Sequence, residues 1–153
     1  MKRLTHIDDR GEARMVDVSK KPLSQREAIA RGEIRVASET LTLIESHQVA
    51  KGNVLATARV AGIMAAKRTG ELIPLCHPLP ITHCEVEFDI PRSRDRILIT
   101  ASARITAQTG VEMEALTAVA VAALAIYDMC KAVDPKMVIS DVRLVKKTKT
   151  PMI

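Results

Sequence analysis

Cys84, Val86, Phe88 and Ile90 alternate with Glu85, Glu87 and Asp89. A period of two puts the apolar set on one face and the acids on the other, which predicts a half-exposed strand. Pro91-Arg92-Ser93-Arg94-Asp95 supplies turn chemistry, and Arg96 to Ala107 predicts the second arm of a hairpin. A different pattern begins at Thr109. Ala115 to Ile126 is almost wholly apolar, yet Glu112 and Glu114 precede it and Asp128 and Lys131 follow it. This predicts one long helix over residues 111–133, ended by Asp134-Pro135. Charge at both ends of so apolar a rod draws attention, because buried charges are costly unless paired or used.

Upstream, Glu33 to Ala37 predicts a short strand, and Ser38 reads as the N-cap of a helix through Leu41 and Ile44. Gly52-Asn53 interrupts, and Asn53 caps a second helix over residues 54–69, in which Leu55, Ala58, Gly62 and Ala65 share an apolar stripe. Val138 to Val145 predicts a last strand. The order β, α, β, β, α, β predicts an α+β fold: a ferredoxin-like βαββαβ sandwich, its antiparallel sheet carrying the helices on one face. Residues 1–24 are charged and lack periodicity, so they predict a flexible N-terminal arm. Residues 25–153 are then expected to form a single ferredoxin-like domain.

A chain of 153 residues suffices for one real core. Phe88 and Tyr127 are its only large rings, so that core is aliphatic and a base-stacking nucleic-acid platform is not expected. A formal charge of +5 suits an anionic partner, with a phosphate-bearing small molecule the best fit, although surplus surface lysine gives the same total. Cys76, Cys84 and Cys130 are odd in number, the N-terminus is polar, and the longest apolar run falls short of a membrane span. A reduced, cytoplasmic protein with no membrane partner is the expectation. The many alanines let neighbouring backbones approach closely, as a face completed by another subunit would need.

Three segments can carry chemistry. In Leu72 to Pro80, LIPLCHPLP, three prolines stiffen a loop that presents Leu75, Cys76 and His77 in one geometry. A rigid crossover with His77 merely hydrogen-bonded is the alternative reading. A zinc site at Cys76, His77, His83 and Cys84 is not expected, since the spacing lacks a two-residue ligand hook. Asp128 and Lys131, three apart on one helix face, form an acid–base pair or an ordinary ion pair. Glu112 and Glu114 at the other end are either ligands or first-turn helix stabilisers. Lys51, Lys67-Arg68 and Lys146-Lys147-Lys149 are scattered cations that suit phosphate or solvent. Glu114 and Asp128 lie roughly 20 Å apart along such a helix, too far for one small ligand. Two functional ends therefore mean two sites, or one site built from two subunits.

LIPLCHPL at 72–79, TGVEMEALTA at 109–118 and AIYDMCKAVD at 125–134 resemble the MoaC family of molybdenum cofactor biosynthesis. MVDVS at 15–19, KGNVLATARVAGIMAAKRT at 51–69 and MVISDVRLVKK at 137–147 resemble it too, so the likeness spans nearly the whole chain. The resemblance implies a ferredoxin-like subunit in a homohexamer, a trimer of dimers, with sites at subunit interfaces. The implied activity is that of a lyase, cyclic pyranopterin monophosphate synthase. It converts 3′,8-cyclo-7,8-dihydroguanosine triphosphate to cyclic pyranopterin monophosphate and diphosphate. The resemblance places Asp128, Lys131, Lys51 and His77 in catalysis. It gives Leu75, Cys76, His77, Glu112, Met113, Glu114 and Lys147 to substrate binding. It implies no tightly bound cofactor, with magnesium an optional companion of the triphosphate. The chain departs from the family at Ser140-Asp141, where Gly-Pro is common, and in lacking a glycine-rich tail. A non-catalytic nucleotide-binding oligomer and a basic RNA-binding domain are the competing readings.

Overall fold

The computed structural model describes residues 3–153, so the first two residues of the expected arm lie outside the described ones. The elements are β1 (Ser24–Arg35), α1 (Ser38–Glu45), α2 (Val54–Lys67), α3 (Thr69–Leu72), β2 (His83–Asp89), β3 (Arg96–Ala107), α4 (Glu112–Cys130) and β4 (Val138–Pro151). The strands form one sheet in the order β2-β3-β1-β4, with every neighbouring pair antiparallel. The two central strands are thus the first and third in sequence, and α2 and α4 pack together across the sheet. This is the expected ferredoxin-like α+β arrangement.

The expected hairpin is present, with Val86 paired to Ala101 and Phe88 to Ile99. Ile34, Ile97, Ile99 and Ile126 are fully buried between sheet and helices. Removing each such side chain from water contributes about 1.5–3 kcal/mol. The Asn53 cap is also present: its Oδ1 accepts from the Ala56 N–H at 3.0 Å. The preceding turn depends on Gly52, whose φ of +109° would strain any side-chain-bearing residue.

Three expectations about elements change. β1 starts at Ser24, well before Glu33, and α1 is preceded by Ala37 as its N-cap, without a side-chain cap. The Ala37 N–H instead donates to buried Asp134 at 2.8 Å, and the Thr40 hydroxyl donates to the same carboxylate at 3.0 Å. Asp134 therefore ties the exit of α4 to the start of α1. Finally, β4 continues past Val145 to Pro151, pairing along β1 as an edge strand with two register shifts.

α4 also revises the reading of its own apolar surface. Its 19 residues are long and apolar enough to cross a membrane by length and composition. In this fold that apolarity is used inside the chain: Ala115, Ala118, Ala122 and Ala123 are fully buried against α2 and the sheet. Gly62 of α2 makes the approach possible, since a Cβ there would lie 2.8 Å from the Ala118 carbonyl oxygen. Those four alanines are therefore taken up within the protomer, while Ala120 and Ala125 stay half-buried and Leu124 is exposed.

Candidate functional site

The candidate residues collect at the two ends of α4. At the C-terminal end, Asp128 points one carboxylate oxygen at Lys131, 2.9 Å away, and the other at Lys51, 3.3 Å away. Lys51 reaches α4 from the turn before α2 and also donates to the Asp128 main-chain carbonyl at 3.0 Å. This pins the lysine to the last turn, where the helix dipole favours cations. All three side chains are exposed. The ammonium of Lys131 first, and that of Lys51 second, hold the Asp128 carboxyl below the usual aspartate range. The result is an ionised acid held between two cations that open solvent can reach.

The N-terminal end is a cleft of ≈ 390 Å³. Leu75, Cys76 and His77 of the proline-rich loop line it, facing Glu112, Met113 and Glu114 of the first turn of α4, and Lys147 closes it from β4. The residue before this helix, Val111, makes no side-chain cap. Lys147 places its ammonium 2.8 Å from Glu112. The two glutamates are pushed in opposite directions. Burial would raise Glu112, but the Lys147 ammonium, its own backbone N–H and the nearby Arg26 charge bring it below the ordinary value of 4.5. Glu114 is only 3% exposed and has no ion-pair partner among the described residues. Burial, reinforced by the Glu112 charge against its own backbone N–H, raises it above that value. One turn thus holds two carboxyl groups whose surroundings push their pKa values in opposite directions.

Burial, then the Glu114 charge, pushes the Cys76 thiol up, so its sulfur is a packing group and weak hydrogen-bond donor rather than a thiolate. His77 donates from its ring Nε2 to the Val16 carbonyl across 2.7 Å. That contact brings the N-terminal segment over the cleft, and Thr5, His6, Val18 and Lys21 complete the wall. These wall residues were not expected from the sequence, because residues before Ser24 carry no periodic pattern to place them. The MVDVS run was the one available signal. Among the described residues, no three His, Cys, Asp or Glu side chains are grouped to hold a metal ion.

The structure therefore unites Leu75, Cys76, His77, Glu112, Met113, Glu114 and Lys147, and separately Lys51, Asp128 and Lys131. It does not bring His77 to Asp128 within one chain. Glu112 and Asp128 sit roughly 24 Å apart along the α4 axis at 1.5 Å per residue.

Comparison with known proteins bears on the same segments. The MoaC family profile matches residues 15–150. A protein of Pelotomaculum thermopropionicum named cyclic pyranopterin monophosphate synthase is 62% identical over 148 residues, covering 97% of this chain and 87% of its own. Proteins of the same name from Clostridium perfringens and Thermomicrobium roseum are each 57% identical. They cover 95% and 96% of this chain, and 92% and 89% of their own. With both ends of α4 and the segments around them inside the matched region, the chain belongs to the MoaC family.

Proposed function

We propose that this enzyme is a cyclic pyranopterin monophosphate synthase acting on 3′,8-cyclo-7,8-dihydroguanosine triphosphate in molybdenum cofactor biosynthesis. The carrying observation is the sorting of the candidate residues into two complementary sets at opposite ends of α4. At one end Asp128 is ionised between Lys51 and Lys131. At the other, two glutamates, a histidine and a lysine share a cleft. Rebuilding a purine-derived ring needs proton transfers at several atoms, which Asp128, Lys131 and His77 relay. Forming a cyclic phosphate while expelling diphosphate needs positive charge around the phosphates, from Lys51, Lys131 and Lys147. The guanine-like edge presents ring N–H and amino donors, and Glu112 or Glu114 supplies the carboxylate that accepts from them. Leu75 and Met113 supply the apolar wall. No tightly bound cofactor enters this scheme, and magnesium accompanies the triphosphate if it enters at all.

Because one small ligand cannot touch both ends of one α4, we further propose that each site takes one end from each of two chains. The assembly is a homohexamer, a trimer of dimers, in the cytoplasm. Incubation with the cyclised triphosphate tests the reading: diphosphate and the cyclic monophosphate should both appear. Binding without turnover would replace it with a non-catalytic nucleotide-binding oligomer. Tight, salt-sensitive RNA binding without nucleotide preference would replace it with an RNA-binding domain.

A further inference from the structure

The contact between His77 and Val16 fixes more than a position. A main-chain carbonyl can only accept a hydrogen bond, so the ring nitrogen facing it must carry hydrogen whether the imidazole is neutral or charged. That nitrogen is Nε2, 2.7 Å from the Val16 oxygen. In the neutral ring the second nitrogen, Nδ1, is then bare and is the one atom of His77 able to take a proton.

Both partners of this bond are held. Pro74, Pro78 and Pro80 restrict the His77 loop, and the Val16 segment has its own fastenings. The Gln108 side-chain amide donates to the Ser19 carbonyl at 3.2 Å. The Ser19 N–H and hydroxyl both donate to Asp17, at 2.9 and 2.6 Å. The Lys21 N–H closes a turn onto the Val18 carbonyl at 3.0 Å.

We propose that the Val16 main-chain carbonyl is a positioning group of the site. It holds His77 as the Nε2–H tautomer and leaves Nδ1 as the nitrogen that accepts a proton from substrate. The proton-accepting half rests on the synthase reading; the tautomer does not. This gives residues 15–19 a task that no side chain among them reveals, since the working atom belongs to the backbone.

The test is nitrogen NMR on the intact enzyme labelled with 15N-histidine, at a pH where imidazole is neutral. The chain has four histidines, and the signals lost in His77→Gln identify those of His77. The expected result is a protonated, pyrrole-type Nε2 and a bare, pyridine-type Nδ1. A protonated Nδ1, or two averaged signals of equal character, would overturn the inference whatever the activity. The same variant tests the second half, because glutamine can still donate toward Val16 but has no basic nitrogen. Its turnover should fall about 100-fold or more with little change in KM. An Nε2–H spectrum with undiminished turnover in His77→Gln would remove His77 from proton transfer while leaving the tautomer assignment standing. Absence of turnover in the parent enzyme would instead count against the synthase reading itself.

Discussion

Lys147, near the end of the edge strand β4, lies 2.8 Å from Glu112 in the first turn of α4, joining the last strand to the helix start. That ammonium opposes the burial which would otherwise raise Glu112. Replacing it with methionine should therefore raise the Glu112 pKa and weaken substrate binding. The linkage sign is clear: a depressed folded pKa contributes stability above the unfolded value near 4.5, lost as pH falls through the lower folded value. Lys147→Met should have a flatter acid limb than the parent in a pH series of thermal melts. Parallel limbs would show that the pair does not hold the carboxylate ionised.

Asp128 is exposed, so its ion pairs are screened and contribute little to folding. Asp128→Asn should melt and assemble like the parent. Its turnover should drop by about two orders of magnitude or more, as expected for loss of a proton-transfer group. A variant that turns over normally would remove Asp128 from the mechanism.

The spacing of the two residue sets leads to a mixing experiment. Asp128→Asn and Glu114→Gln damage opposite ends of α4, and each homogeneous oligomer should be inactive. Co-assembled subunits should regain part of the activity, because some shared sites then receive two intact ends. If subunit exchange is shown by mass and no activity returns, the composite site is wrong.

Gly62 allows a sign test of helix packing. In an exposed helix, glycine to alanine stabilises by up to about 1 kcal/mol. Here the new Cβ would sit 2.8 Å from the Ala118 carbonyl oxygen, so Gly62→Ala should destabilise by about 1–3 kcal/mol. Denaturant titration distinguishes the two directions, and a gain in stability would show that α2 and α4 can separate freely.

The sequence made some elements legible and hid others for physical reasons. The β2–β3 hairpin shows in clean alternation, α2 in its Asn53 cap, and α4 in its apolar run between charged ends. β1 was largely unread because its inward side chains, Ala28 and Ala30, and Gly32 between them and Ile34, give almost no hydrophobic signal. They are small because α4 lies close above, where a Cβ on Gly32 would meet Val119 at 2.7 Å. The end of β4 was hidden by lysines and threonines on an exposed edge, whose strand character comes from pairing with β1 rather than from burial. The ion pairs of Lys51 and Lys147 were likewise beyond reading, since each joins residues distant in the chain.

The position of Lys147 on an edge strand has a consequence outside chemistry. An open edge offers unpaired backbone groups to any passing strand, and charged side chains there discourage such pairing. Lys146, Lys147 and Lys149 lie along that rim of β4, among exposed Val142, Leu144 and Val145. The lysine that keeps Glu112 ionised therefore also helps keep the sheet from growing. Stripping this strand of charge invites association of sheets, so light scattering should accompany every assay of a β4 lysine variant.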